Sequence, residues 1–124
     1  LGEPVPDHLQ GKSRLPVHRG EETLENNDVF IQWNGTSDEI SERDLGDGTI
    51  NRMITLPWRS VVSGRWKLNL CAGDQCELFD MNTDPHELNN LYNDPAQRDR
   101  IRDMAARIRF WQIQTSDRVP LPTT

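Results

Sequence analysis

Cysteine and long apolar runs are both scarce in this sequence of 124 residues. Two cysteines are too few for a small scaffold held together by several disulfides. No run approaches the roughly 18 apolar residues of a membrane-spanning helix, and the N-terminus has neither the basic start nor the apolar stretch of a secretion signal. We therefore predict neither a disulfide-built miniprotein nor a membrane partner.

Positive charge is also in the minority. The 14 Lys and Arg residues stand against 20 Asp and Glu residues, which leaves a net charge of −6. Such a surface repels a phosphate backbone, so we predict no nucleic-acid partner. Hydrophobic residues make up 34% and, even with the 8 glycines added, stay below the roughly 45–50% typical of globular chains. The length and composition predict one domain with a thin core.

The familiar catalytic motifs are missing. The run HELNN lacks the second histidine of a zinc-protease helix, and there is no G-x-S-x-G elbow and no glycine-rich phosphate loop. His8 and His18 lie in an irregular opening segment without a nucleophile motif nearby. We predict no catalytic, cofactor-binding or metal-binding residue in this chain, and a small hydrolase that uses a carboxylate pair is left as a weaker alternative.

The two cysteines flank the short run AGDQ between two strand-like segments. Cys71 and Cys76 could face each other across a hairpin and form a disulfide in an oxidising compartment, or stay free. A zinc site is not expected, because it needs about four ligands and no second Cys or His pair is nearby.

Four short alternating runs predict strands at about residues 28–33, 57–62, 65–71 and 76–81. In RWKLNL the apolar Trp66, Leu68 and Leu70 alternate with polar residues, which indicates an antiparallel sheet covered on one face. Asn34-Gly35 ends the first run and is typical of a turn; the glycosylation pattern Asn34-Gly35-Thr36 is the less favoured interpretation.

Two helix starts follow the strands. Asp84, Pro85 and Glu87 form a capping box that predicts a short helix over residues 85–92, with Leu88 and Leu91 on its inner side. Asp94-Pro95 repeats the device and predicts a longer helix over residues 95–115, with Gln112 on its polar side and Phe110 opposite its apolar stripe. That stripe comprises Ile101, Met104, Ala105, Ile108 and Trp111. The predicted fold is α+β, a small antiparallel sheet of about four strands with a C-terminal α-helix packed on one face.

Exposed charged and apolar side chains suggest weaker candidates for binding an ion or a partner protein. Residues 36–48 are rich in Asp and Glu and predict a solvated loop, since their spacing does not fit a calcium-binding EF-hand. Arg59, Arg65 and Lys67 could bind an anion such as sulfate, although cations on the wet face of a strand are more often simply solvated. An exposed Phe110 favours a partner, and association between copies of the chain is one possibility.

Three stretches of the sequence resemble a known family: RSVVSGRWKLNL, GDQCELFDMNTDPHELNNLYNDP and IRFWQIQTSD. They are similar to the C-terminal subdomain of the formylglycine-dependent sulfatases, arylsulfatase-type enzymes of the alkaline phosphatase superfamily. LQGKSRLPVHRGE resembles the run G-x-S-L-x-P-L-x-x-G that leads into this subdomain, with Arg14 and His18 where aliphatic residues are usual. The chain starts at Leu1 in a Pro- and Gly-rich stretch, and we expect it to be cut from a longer one.

The resemblance implies an enzyme that hydrolyses sulfate esters of a carbohydrate or aryl substrate. Its formylglycine comes from the first residue of C-x-P-[SC]-R, and it uses a calcium or magnesium ion. Neither Cys71 nor Cys76 starts that motif. Residues 1–27 would be an extended segment leading from a missing catalytic domain of the same parent chain, and residues 28–124 the subdomain. We expect the chain alone to be non-catalytic and the whole enzyme to be periplasmic or extracellular.

Within such an enzyme, the subdomain would serve a structural role and contribute to substrate specificity. Residues 36–50 and the run TLPWRSV are where we expect contacts with substrate. Trp58 and Arg59 are the predicted contact residues, because an indole suits a sugar ring and a guanidinium suits a sulfate. The alternative is a stand-alone carbohydrate-binding or protein-interaction module.

Overall fold

A computed structural model of the protein describes residues 6, 8–9, 11–25, 27–35 and 54–124. The predicted acidic loop lies outside these residues. In chain order the elements are α1 (Leu15–His18), β1 (Val29–Trp33), β2 (Trp58–Ser63), β3 (Trp66–Leu70), β4 (Glu77–Asp80), a 3-10 turn (Pro95–Gln97) and α2 (Arg98–Thr115). The four strands form one antiparallel sheet in the order β1-β2-β3-β4. The sheet and its C-terminal helix confirm the predicted α+β fold.

The strand register divides the sheet into two faces. Phe30 pairs with Val61, Val61 with Leu68, and Leu68 with Leu78, so these residues form one row across all four strands. Paired residues of antiparallel strands point to the same side, so the row lies on the face that α2 covers, which we call the inner face. The opposite side of the sheet is the outer face.

Helix α2 packs on β2 and β3 and completes the core. Four residues of the predicted stripe are buried, and Trp111 stacks on Phe30 with ring centroids 5.4 Å apart. Phe110 is 61% exposed, as its position opposite the stripe predicts. Gln112 was predicted on the polar side, and this is wrong. It is buried, because its amide bonds to the chain that follows the helix.

Both ends of the long helical segment follow local signals. Asp94 Oδ1 accepts a hydrogen bond of 2.9 Å from the Ala96 N–H, and Pro95 is the first residue of a 3-10 turn that continues into α2. Ser116, in a left-handed conformation with φ of 57°, ends the helix. The predicted helix over residues 95–115 is therefore confirmed, with its first turn tightened.

The predicted short helix over residues 85–92 is wrong. Asp84 Oδ1 and Oδ2 accept hydrogen bonds from the N–H groups of Leu88 and Asn89, at 3.0 and 2.8 Å, instead of from Glu87. Glu87 has a φ of 56°, which a right-handed helix does not allow. Leu88 is 85% exposed rather than inward, while Leu91 packs against the core as predicted.

The edge of the sheet explains why that helix does not form. Asn90 Oδ1 accepts the Leu78 N–H at 3.1 Å, and Asn90 Nδ2 donates to the Cys76 carbonyl at 3.0 Å. The Leu91 N–H donates to the Leu78 carbonyl at 2.8 Å. An unpaired strand edge presents free backbone groups, and residues 90–91 satisfy those of β4 only if they stay extended along it.

Cys71 and Cys76 are both free and buried, so the hairpin disulfide is not formed. The Cys76 Sγ lies 3.5 Å from the Cys71 carbonyl oxygen, to which it donates. Burial raises the pKa of the neighbouring Tyr92 hydroxyl to about 12, with Cys76 adding to the effect. The thiols belong to the packed interior under the β3-β4 hairpin.

Candidate functional site

The three cations that the sequence offered as anion-binding candidates all have carboxylate partners. Arg59 pairs with Asp117 at 2.6 Å and Lys67 with Glu87 at 2.7 Å. Arg65 pairs with Asp80. A carboxylate already neutralises each of these charges, which makes all three poor sites for a free sulfate.

Arg59 does not lie on the wet face of β2, where we predicted it. Its partners in the register are Gln32 and Leu70, it is on the inner face, and it is 1% exposed. A guanidinium has five N–H donors, and all five are used here. Nε and Nη2 donate to the two oxygens of Asp117 at 2.6 and 2.8 Å.

The remaining donors of Arg59 bind the ends of two strands. Nη1 donates to the carbonyls of Trp33 and Trp58 at 2.9 and 2.8 Å, and Nη2 also donates to Asn34 Oδ1 at 2.9 Å. Arg59 therefore ties the end of β1 and the start of β2 to the chain that follows α2. Gln112 extends the network by donating to Asp117 Oδ2 at 2.8 Å.

A polar cavity of about 390 Å³ adjoins this network at the end of β1. Its lining residues are Gln32, Asn34, Arg59, Trp111, Thr115 and Asp117. Because every Arg59 donor is taken, an anion entering the cavity would have to displace Asp117 or a backbone carbonyl. The cavity is thus better explained by packing around an internal ion pair than by ligand binding.

The ion pair between Arg59 and Asp117 predicts how the free energy of unfolding depends on pH. Hydrogen bonds from Arg59, then Gln112, hold the pKa of Asp117 well below its usual value of 3.8. A carboxylate whose pKa is depressed on folding stabilises the fold fully above its unfolded pKa and loses that stabilisation as pH falls towards the folded pKa. We expect urea unfolding to show that the stability difference between the protein and its Asp117→Asn variant shrinks below about pH 4. A difference that stays constant down to about pH 2 would contradict this account.

Trp58, the other predicted contact residue, lies on the outer face. Neighbouring residues of a strand point to opposite faces, so Trp58 lies on the outer face because Arg59 lies on the inner face. Trp58 is half-buried and lines an open cavity of about 260 Å³ on the outer face, which we call the outer pocket. The other lining residues are Ile31, Ser60, Lys67, Asn69 and Glu77.

The floor of the outer pocket is a polar row. Ser60 pairs with Asn69 and Asn69 with Glu77 in the strand register. Asn69 Nδ2 donates to Glu77 Oε2 at 2.9 Å, whereas the buried Asn69 Oδ1 accepts no hydrogen bond from any residue that the structure describes. The pocket therefore has an indole wall, and Asn69 Oδ1, which finds no donor among the described residues, is covered from solvent.

An apolar strip borders the outer pocket. Val29, Ile31 and Trp33 share the outer face of edge strand β1, and each is about half exposed, at 49%, 50% and 49%. We call these three residues the outer strip. The Trp33 indole N–H is satisfied by the Ile54 carbonyl at 2.8 Å, so the strip presents carbon surface without an unmet donor.

A larger groove of about 740 Å³ runs between the N-terminal segment and α2. Phe110 and the stacked rings of Phe30 and Trp111 line it, and its rim carries Arg107. Arg107 is paired with both Asp28 and Asp103, at 3.1 and 2.8 Å, so its own charge is neutralised. The described residues that line the groove do not form a catalytic group.

Within residues 6, 8–9, 11–25, 27–35 and 54–124, no three His, Cys, Asp or Glu side chains are placed to hold a metal ion. Among the same residues no helix has the length and apolar character needed to cross a membrane.

The chain resembles known proteins in its structure but not detectably in its sequence. No family model and no curated protein sequence matches the chain. A protein of Bacteroides thetaiotaomicron VPI-5482 assigned to the sulfatases, and a 2-O GAG sulfatase named BT1596, each superpose with a TM-score of 0.71 at 25% identity over 99% of this chain. The chain has the fold of a sulfatase subdomain.

The chain spans only 25% of the length of those two proteins. A third structure, BT4656 in complex with its substrate D-glucosamine-2-N,6-O-disulfate, matches with a TM-score of 0.72 at 21% identity, over 96% of this chain and 22% of that one. At that identity the third match supports the fold alone.

The sequence pointed to Trp58 and Arg59 but missed their most informative neighbours. Asp117 follows the helix and has no local pattern that marks it as the partner of a residue 58 positions earlier. Asn69 was counted as part of a wet strand face. Only the register of three strands, which puts Ser60, Asn69 and Glu77 in one row, could have singled it out.

Proposed function

We propose that this chain is a structural subdomain of a sulfatase that hydrolyses sulfate esters of carbohydrates, and that it is inactive by itself. The observation that carries the proposal is a superposition covering 99% of this chain but only 25% of two sulfatase-type proteins. A sulfated carbohydrate is favoured over an aryl sulfate because one neighbour, at 25% identity, is a GAG sulfatase.

The catalytic groups would lie in the rest of the parent chain. A formylglycine and a calcium or magnesium ion would supply the nucleophile and the charge that stabilises the sulfate. The residues of this chain do not fit either group. Cys71 is followed by Ala72-Gly73 and Cys76 by Glu77, so neither starts a C-x-P-[SC]-R motif.

The outer strip is the surface that we propose docks on the catalytic domain of the same parent chain. Three adjacent half-exposed apolar side chains on an edge strand are costly to leave in water. About three-quarters of each neighbouring sulfatase-type chain lies outside the matched part, and a corresponding part of the parent chain would cover them. Docking there would place the adjacent outer pocket, with Trp58, at the boundary between the two parts.

Trp58 and Arg59 would then affect substrate specificity in different ways. Trp58 would contact the substrate with its indole. Arg59 is buried with all its donors used, and it holds the Trp58 carbonyl at 2.8 Å. It would therefore act by positioning Trp58 rather than by binding the sulfate itself.

The test compares the parent enzyme with the isolated chain, using glucosamine 6-O-sulfate and 4-nitrophenyl sulfate as substrates. We expect the parent enzyme to release sulfate and the isolated chain to release none. In the parent, Ile31→Asp should lower both activity and thermal stability by exposing the docked surface. The matched control is Leu88→Asp, at a position that is 85% exposed and is not part of the outer strip.

The outcomes separate the alternatives. Sulfate release by the isolated chain would contradict a purely structural role and favour a small hydrolase. A parent gene product that hydrolyses neither substrate would exclude the sulfatase assignment, and a stand-alone carbohydrate-binding module would become the better interpretation. Equal effects of Ile31→Asp and Leu88→Asp would argue against docking through the outer strip.

A further inference from the structure

The groove between the N-terminal segment and α2 has an apolar wall that is open to solvent. Phe110 is 61% exposed, and Ala106, four residues earlier on α2, is exposed beside it. Residues four apart share one side of a helix, so the two form a continuous apolar surface. The stacked rings of Phe30 and Trp111 extend that surface within the groove. An exposed aromatic ring in a concave site suits the C–H face of another ring.

The wall formed by the N-terminal segment carries positive charge. Lys12 and Arg14 line it, and neither is paired with a carboxylate among the residues that the structure describes. Arg14 Nη2 donates at 2.6 Å to Asn27 Oδ1, a neutral acceptor that orients the guanidinium without neutralising it. A guanidinium has five N–H donors, so most of those of Arg14 remain for a ligand. This wall therefore offers two positive charges to an anionic group.

A third part of the lining supplies hydrogen-bond acceptors. Arg107 donates to the two oxygens of Asp28 at 3.1 and 3.3 Å, and to Asp103 Oδ2 at 3.0 Å. Each carboxylate oxygen can accept more than one hydrogen bond, so both groups can also accept from a hydroxyl. The two carboxylates against Lys12, Arg14 and Arg107 leave the described lining with one net positive charge.

These three features together match an acidic sugar. Inorganic sulfate would satisfy the positive wall, but it has no hydroxyl for the carboxylates and no ring for the apolar wall. A neutral sugar would leave both cations without an anion. A sugar ring that bears a carboxylate or a sulfate as well as hydroxyls satisfies all three parts of the lining.

The size of the groove is also appropriate. Its volume of about 740 Å³ lies within the roughly 300–1,000 Å³ of ligand pockets. A smaller cavity of about 310 Å³ shares Lys12, Trp111 and Gln114 with the groove, so a neighbouring sugar unit would continue past Lys12. A short oligosaccharide therefore fits better than a single ion.

We propose that this groove binds an acidic sugar unit, with its anionic group on Lys12 and Arg14, its hydroxyls on Asp28 and Asp103, and its ring on Phe110. The groove lies beside α2, which covers the inner face, whereas the outer strip is on the outer face. Docking through the outer strip thus leaves the groove open. The inference rests on the proposed function in one respect, because the unit would belong to the same acidic carbohydrate whose sulfate the catalytic domain removes.

Calorimetric titration of the parent enzyme with a hyaluronan tetrasaccharide tests binding directly, because this carbohydrate has carboxylates and no sulfate ester. Arg14→Gln is expected to weaken binding about 5-fold. Arg98→Gln removes the same charge at an exposed position outside the groove and should have no effect. Phe110→Ala should also weaken binding about 5-fold, whereas Ile113→Ala should not, since Ile113 is 77% exposed on the same helix but does not line the groove.

Two further probes test the chemical class of the ligand. Chitotetraose, a neutral carbohydrate of the same length, should bind about 10-fold more weakly than the hyaluronan tetrasaccharide. Equal binding of the two would overturn the role of the positive wall. Hexaglutamate that binds as tightly as hyaluronan, with the same loss in Arg14→Gln, would replace the acidic sugar by an acidic peptide.

The absence of hyaluronan binding would overturn the proposal. So would binding that Arg14→Gln and Phe110→Ala leave unchanged, even if both variants unfold at a lower temperature, because that pattern indicates a groove covered by the rest of the parent chain.

Kinetics distinguish the failure of the groove from the failure of the proposed function. Arg14→Gln should raise the ratio of the KM for a sulfated tetrasaccharide to the KM for glucosamine 6-O-sulfate about 5-fold, and an unchanged ratio would show that the groove does not hold this substrate. Hyaluronan binding that depends on Arg14 and Phe110, in a protein that hydrolyses no sulfate ester, would support the groove and contradict the proposed function. Sulfate release without such binding would overturn the groove alone.

Discussion

Replacing Arg59 by methionine is expected to lower the free energy of unfolding by about 3–5 kcal/mol, the range for breaking a buried ion pair. The change would leave the Asp117 carboxylate without its cation. It would also remove the N–H groups that donate hydrogen bonds to the carbonyls of Trp33 and Trp58. Urea unfolding of the purified protein, followed by tryptophan fluorescence, measures the effect.

Arg102→Met is the matched control for this substitution. Arg102 makes a 3.5 Å pair with Asp99 on the surface of α2, where its side chain is 64% exposed. Exposed pairs contribute about 0–1 kcal/mol, so the control should unfold almost like the unchanged protein. If Arg59→Met and Arg102→Met lose similar stability, the network around Arg59 is not the internal cross-link that we describe.

Leu68→Ala is expected to cost about 2–5 kcal/mol, because it leaves a cavity that the surrounding sheet and helix cannot close. Leu68 is 0% exposed and lies between Val61 and Leu78 in the row that faces α2. The same urea titration reports the loss, and the slope of the transition should not change if the native fold is kept.

The same Leu→Ala substitution at Leu88 tests whether the loss of stability depends on burial rather than on residue type. Leu88 is 85% exposed in the segment where the predicted helix does not form. We expect Leu88→Ala to change stability by less than about 0.5 kcal/mol. A large loss at Leu88 would mean that this side chain is covered in solution, in disagreement with the structure.

The sheet and the long helix could be predicted because their signals are local and repeated. The alternation of Trp66, Leu68 and Leu70 matches the period of a strand, and the stripe from Ile101 to Ile108 matches that of a helix. The Asp94 cap also acts as predicted, since its acceptor satisfies an N–H group that the helix itself leaves free.

The two similar capping sequences show where such prediction ends. Asp84-Pro85 and Asp94-Pro95 carry the same local signal, yet only the second starts a helix. The difference is tertiary: residues 90–91 bind the free edge of β4, and those hydrogen bonds replace the ones that a short isolated helix would make.

The candidate site could be predicted only in part, because it too depends on tertiary contacts. Alternation along β2 establishes that Trp58 and Arg59 point to opposite faces, but it does not say which face the helix covers. The sequence predicted Arg59 on the wet face of a strand, whereas it is buried and the acceptors around it make that burial tolerable. The free acceptor of Asn69 depends on the order and register of three strands, which no single segment contains.

By itself the sequence determined the type of most elements, the apolar rows and the resemblance to a sulfatase subdomain, because these depend on residues close together along the chain. Only the tertiary structure decided which face of the sheet is covered, which carboxylate neutralises Arg59 and which buried polar atom finds no partner among the described residues. Those outcomes depend on contacts between residues that are far apart in the sequence, such as Arg59 and Asp117, which are 58 positions apart. Such contacts form only when strand register and helix packing bring the residues together.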